Sequence, residues 1–184
     1  MARFAKDFRP DREGPSLLSR LHLTKTQRLS AAKWLLYSLV VLVLSVVQDV
    51  ILCRLRIFGG TTDLVPCAIF LSCMLLGTQS GCLYALIAAS LFQFSGGGPG
   101  YYAIAVITLL CIVGAMFRQS WLRKGFGSCL LCAGSCLFLY EFIIFLVALA
   151  LGQTALDRIL VPLFTTVLTL VSIPLLYPIL RSIE

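Results

Sequence analysis

Between Leu64 and Phe94 the chain runs for thirty-one residues without a formal charge. A membrane helix needs about 20 apolar residues to cross about 30 Å of hydrocarbon, so this run is too long for one crossing and short for two. It is not an isolated feature, because Trp34 to Leu52 and most of the sequence beyond Tyr101 have the same character. Hydrophobic residues make up 59% of the 184 positions and charged residues only 12%, against about 45–50% and about 25% in an ordinary soluble domain. The solvent for most of this chain is therefore lipid, and the fold class the residues predict is an all-α polytopic membrane protein.

Charge decides how many times the long run crosses. Its middle, Gly77-Thr78-Gln79-Ser80-Gly81, is turn chemistry and predicts a tight hairpin. With a single crossing, the loop holding Arg118, Arg123 and Lys124 would lie opposite the basic N-terminal region, against the tendency of Lys and Arg to stay cytoplasmic. Two crossings return it to that side. The result is a six-transmembrane-helix bundle with approximate spans 34–52, 64–76, 80–94, 101–117, 126–151 and 159–180 and both termini cytoplasmic. Twelve Lys and Arg then lie inside and three (Arg54, Arg56, Arg158) outside. Trp34, Tyr37, Tyr101, Tyr102, Trp121 and Tyr177 fall near the expected interfaces, where amphipathic rings settle. Pro162 is expected in the first turn of the last helix, and Pro174 and Pro178 are expected to bend its far end.

Residues 1–33 hold eight of the fifteen Lys and Arg, opposed only by Asp7, Asp11 and Glu13. Beside a membrane segment, a basic tail of disordered composition sets orientation and touches anionic lipid, in preference to nucleic acid. It is too long for the start of a secretory signal, and no Ala-x-Ala site follows the first apolar run. That run is expected to stay in place.

Few residues in the spans carry chemistry. Eight cysteines sit in or beside them, three in Cys129-Leu-Leu-Cys-Ala-Gly-Ser-Cys136. A structural metal site wants four ligands with a supporting shell, and the one histidine, His22, is in the tail. Small apolar packing is the expected role of these cysteines, with no metal and no cofactor. Gly77, Gly81, Ala85 and Ala89 recur every four residues, a spacing that lets another backbone approach. They read as a packing face inside the bundle, with a partner-docking face as the alternative. Ser95-Gly96-Gly97-Gly98-Pro99-Gly100 lacks the Gly-Lys-Ser/Thr of a phosphate loop and reads as an external connection. Glu141, near the middle of the fifth span, costs a few kcal/mol there unless protonated, paired or wet. It is split between an interhelical hydrogen bond and an outward polar pocket with Gln48, Asp49 and Gln93. No nucleophile, base and orienter assemble from these residues, so the chain reads as a non-enzyme.

One further pattern runs through the turns. Gln48 lies ten residues before Phe58-Gly59, Asp63-Leu64 opens the next span, and Gly77 and Gly81 mark the following turn. Over about residues 34–180 this order, with the six-span layout and the chain length, resembles the rod shape-determining protein MreD family. Two positions depart from the family pattern. Thr62 stands where it has Pro before Asp-Leu, and Gln93 stands where members often carry Asp. The resemblance implies a bacterial cytoplasmic-membrane component of the cell-elongation machinery. Such a component binds the scaffold MreC and, through it, acts with MreB filaments, the glycosyltransferase RodA and its transpeptidase in peptidoglycan synthesis. Arg54, Arg56, Phe58 and Asp63 are then expected to form a short external turn, with Gly59 and Gly60 permitting the reversal and Asp63 capping the second helix. The layout is also similar to the substrate-binding S components of energy-coupling-factor vitamin transporters, in which Gln48, Asp49, Gln93 and Glu141 would face a small polar ligand. Short external loops argue against that alternative.

Overall fold

The computed structural model describes residues 25–52, 60–121 and 125–183. Phe58 and Gly59, with Arg54 and Arg56, lie outside the described residues. The chain divides into two compact units, Met1–Ala32 and Lys33–Glu184. Of the first, the described part is the opening turns of one helix, and the account below concerns the second.

The described residues are helical, with no strand among them. The helices are α1 (Lys25–Val50), α2 (Leu64–Leu76), α3 (Thr78–Phe94), α4 (Tyr102–Trp121), α5 (Phe126–Ala150) and α6 (Leu160–Arg181), with a 3-10 turn at Leu156–Arg158 before the last. Helical segments at Ala31–Val50, Tyr102–Ser120, Phe126–Ala150 and Leu156–Arg181 are long and apolar enough to cross a membrane. The other two helices are shorter. At 1.5 Å per residue, α2 rises about 20 Å and α3 about 26 Å.

α2 is the axis of the bundle. Its sequence, LVPCAIFLSCMLL, is apolar on every side, the pattern of a helix with no solvent face. All residues from Leu64 to Leu75 are buried, and it packs against α3, α4, α5 and α6. Pro66 sits in its first turn, where the missing N–H costs little.

The chain leaves α2 through one residue. Gly77 has φ 87°, a conformation that L side chains rarely adopt. Its N–H donates to the Cys73 carbonyl at 3.2 Å, while its own carbonyl accepts from Gly81 N–H at 2.8 Å. Residues eight apart on a continuous helix are separated by about 12 Å along the axis. Here a Cβ on Gly81 would stand 2.4 Å from the Cys73 carbonyl oxygen, so the chain has folded back and α3 lies on the backbone of α2. Of the small-residue stripe, Gly81, Ala85 and Ala89 are buried and Gly77 at the turn is partly exposed. Across the core, Gly114 of α4 admits Cys136 Sγ of α5 and Met74 Cε of α2, which would approach a Cβ there to 2.6 and 3.0 Å.

α1 is attached in another way. Only 11% of its apolar window is buried, and Leu35, Leu39 and Leu42 are exposed. It meets the bundle through large side chains. Tyr37 is 1% exposed, and Trp34 and Tyr37 each meet the ring of Tyr84 on α3 edge-on, at 6.0 and 6.1 Å between centroids. Tyr37 was expected at the lipid interface; instead its ring is interior and its hydroxyl donates to the Leu180 carbonyl of α6 at 3.1 Å. The first four N–H and last four C=O groups of a helix have no partner within it, so this bond caps the end of α6 from a neighbouring helix. Tyr177, in the last turns of α6, packs against Phe126 at 4.9 Å and lies under the Arg181 guanidinium at 5.8 Å.

Candidate functional site

The same need for a cap builds the polar cluster at the start of α2. The start of α2 is buried, so its free N–H groups need partners from the side chains around it. Val65 N–H, in the first turn, donates to Gln48 Oε1 of α1 at 2.9 Å. Asp63 N–H, at the N-cap position, donates to Thr169 Oγ1 of α6 at 3.1 Å. Thr169 in turn donates to the Thr165 carbonyl at 2.7 Å, so that hydroxyl is satisfied in both roles. Gly60 lies against α6, where a Cβ would come within 3.1 Å of both the backbone nitrogen and the hydroxyl of Thr165.

The expectation that the Asp63 side chain caps α2 is corrected by this geometry. Its carboxyl makes no capping bond. It neighbours instead the side chain of Glu141, which reaches it from the middle of α5. Gln48 has taken the capping role, supplied from a different helix. Tyr140, the residue before Glu141, is buried with its ring edge-on to Phe70 of α2 at 6.2 Å. Glu141 Oε1 and Thr62 Oγ1 are buried and have no partner among the described residues.

The four residues expected to share an outward pocket are distributed. Gln48 and Glu141 both come to the start of α2, one bound to Val65 and the other beside Asp63. Asp49, one position along α1 from Gln48, lies on the groove of about 530 Å³ between α1 and α3, whose walls include Leu39, Leu42, Tyr84, Leu91 and Ser95. Gln93 stands at the end of α3 beside Gly98, where a Cβ would meet its Oε1 at 2.1 Å.

Other polar contacts fasten the far end of α2. Arg118 of α4 donates to the Met74 carbonyl, and Thr78 donates to the Gln119 side chain. Arg118 thus takes up one of the last carbonyls of α2, as Gln48 takes up one of its first amides. Sequence reasoning assigned Arg118 only to a loop. The signal that would have found its role is its place in the last turn of α4, within reach of another helix ending at the same level. No family model, curated protein or solved structure matches this chain.

Proposed function

We propose that this chain is an MreD-like, non-catalytic component of the bacterial cell-elongation machinery. In this reading it is held in the cytoplasmic membrane as a six-helix bundle with both termini cytoplasmic, and it binds an MreC-like scaffold. The observation that carries the reading is the bond from Val65 N–H to Gln48 Oε1, made across seventeen positions of sequence. Gln48 and Asp63-Leu64 are residues on which the resemblance rests. The bond of Gln48 to Val65, the residue after Asp63-Leu64, is a physical reason for that pattern, because the glutamine completes a helix end that the aspartate side chain leaves open.

The reversal at Gly77 supports a reading with six crossings. If α2 and α3 form a pair of short crossings, Arg118, Arg123 and Lys124 lie on the same side as the basic tail, in keeping with the usual bias of Lys and Arg. The scaffold would be the direct partner, with MreB filaments, RodA and its transpeptidase reached through it. Gln48 and Thr169 serve helix capping, which suits a protein that assembles partners. The vitamin-binding alternative loses Gln48 to the Val65 cap and Asp49 to a groove walled mainly by apolar side chains.

The test is a mild-detergent pull-down of the native protein from its own membranes, with mass spectrometry of proteins and small molecules. Recovery of an MreC-like scaffold with elongation synthases supports the reading. Recovery of a coupling-module ATPase or a tightly held vitamin overturns it.

A further inference from the structure

The outer face of α5 carries a polar group that neither the capping contacts nor the proposed assembly role uses. Ser135 is exposed and stands about 14 Å along a helix that rises about 38 Å. That depth is near the middle of the about 30 Å of hydrocarbon that such a helix can cross. Hydroxyls elsewhere in the bundle reach back to their own helix. Ser80, Ser90 and Thr108 donate to the carbonyls of Leu76, Leu86 and Ile104, each four residues earlier, at 2.7, 2.8 and 2.7 Å. Ser135 makes no such bond to Leu131, nor any hydrogen bond to another described residue. In hydrocarbon no water compensates a hydroxyl left in that state.

The surface around Ser135 is a ridge between two hollows. On one side Leu170 of α6 comes within 3.1 Å of where a Cβ on Gly134 would stand. On the other, Gly114 of α4 lets Cys136 approach to 2.6 Å of its own missing Cβ. The residues flanking Ser135 are thus the points at which α6 and α4 close in on α5. Leu131, Ser135 and Leu139 remain outside, four residues apart and all exposed. These three line both a hollow of about 550 Å³ against α6 and one of about 440 Å³ against α4. Thr166, in the first hollow, already donates to the Pro162 carbonyl at 2.8 Å.

We infer that a second copy of this chain docks on this face of α5, with Ser135 at the crossing point. Lipid acyl chains could fill the hollows, but they offer the hydroxyl neither a donor nor an acceptor. A hydroxyl is both, so the second copy's Ser135 is a sufficient partner. Two copies inserted with the same orientation can share a two-fold axis only along the membrane normal. Each residue then meets its counterpart at the same depth in an isologous contact. Residues four apart form a ridge that packs between the like ridges of a facing helix at a crossing angle of about 50°. Leu131 and Leu139 of each copy therefore diverge from the serine pair into the hollows of the other. A hydrogen bond between small polar residues, with apolar side chains interdigitated around it, is how membrane helices associate.

The test uses the full-length protein purified alone, so it does not depend on the assembly reading. Copies labelled at the N-terminus with donor or acceptor dye are diluted in liposomes over a wide range of protein-to-lipid ratios. Energy transfer should follow a monomer–dimer curve. Ser135→Leu should weaken the dimer about tenfold or more by placing bulk at the crossing. Ser135→Ala should weaken it about threefold, the size of one interhelical hydrogen bond in a membrane. Ser38→Leu, on the exposed face of α1, should leave the curve unchanged. A benzophenone amino acid in place of Leu131 should yield a covalent dimer on illumination, and one in place of Leu39 should not. A monomer at every ratio overturns the proposal, as does a dimer that Ser135→Leu leaves intact. Lipid adducts alone from position 131, or a covalent dimer from position 39, also overturn it. The crosslinking variants keep Ser135, so they decide the matter even if Ser135→Leu does not fold.

Discussion

α1 and α2 join the same bundle by opposite means. α1 is the longest helix and is mostly exposed, whereas α2 is the shortest of the six and is buried along its length. α2 is held by close backbone approach, through Gly81 against Cys73 and through Met74 in the space left by Gly114. α1 is held by two polar side chains, Tyr37 and Gln48, which reach the carbonyl end of α6 and the amide end of α2. These residues are eleven positions apart, close to three helical turns, so they share one face of α1. The contrast shows that hydropathy reports which helices meet lipid and says little about which occupy the centre. In lipid the centre is reached by small residues, and attachment at the rim rests on capping.

Substitutions can break or sharpen that contrast, with folding followed by SDS titration in mixed micelles. Gly81→Ala should have the largest effect. Its new methyl faces a backbone carbonyl that cannot swing aside, so the loss should reach or exceed the upper end of the about 1–3 kcal/mol usual for overpacking. Gly127→Ala has open space and should be neutral or gain about 0.5–1 kcal/mol. Equal effects at the two glycines would remove backbone approach as the means of holding α2.

Tyr37→Ala comes next. A soluble core loses about 3–5 kcal/mol for a large aromatic, but lipid is itself apolar and much of that term vanishes. About 2 kcal/mol is expected, with α1 becoming more open to protease. Gln48→Ala should cost about 0.5–2 kcal/mol, the range of a lost N-cap. A loss well below that range would mean that the Val65 bond does not fasten α1. The smallest change is expected for Leu39→Ala on the exposed face, within about 0.5 kcal/mol of the parent. A larger loss there would mean that α1 is packed along its length.

Much of the helical layout was legible in the residues. Lipid sets a crude criterion, a long run without charge, and Gly77 interrupts the longest such run where α2 gives way to α3. The site was only partly legible. Gln48 and Glu141 stood out because polar residues are costly in lipid, but nothing local marks their partners. Asp63 precedes an apolar helix, and by local rules it is a cap. Its side chain neighbours instead a carboxyl on α5, seventy-eight positions away in sequence, and the capping is left to α1. Tyr37 shows the same gap, since a tyrosine close to the end of a span reads as an interface ring until Leu180 is brought beside it.

The bond from Arg118 to Met74 closes the far end of α2 with a side chain synthesised forty-four residues later. While the ribosome is still making α3, that carbonyl end has no such partner, and neither short helix matches the membrane thickness by itself. If α2 and α3 cross the membrane as proposed, the hairpin is completed only when α4 emerges. A variant lacking the Arg118 guanidinium leaves that carbonyl without its partner, and its defect should appear as a lower yield of folded protein.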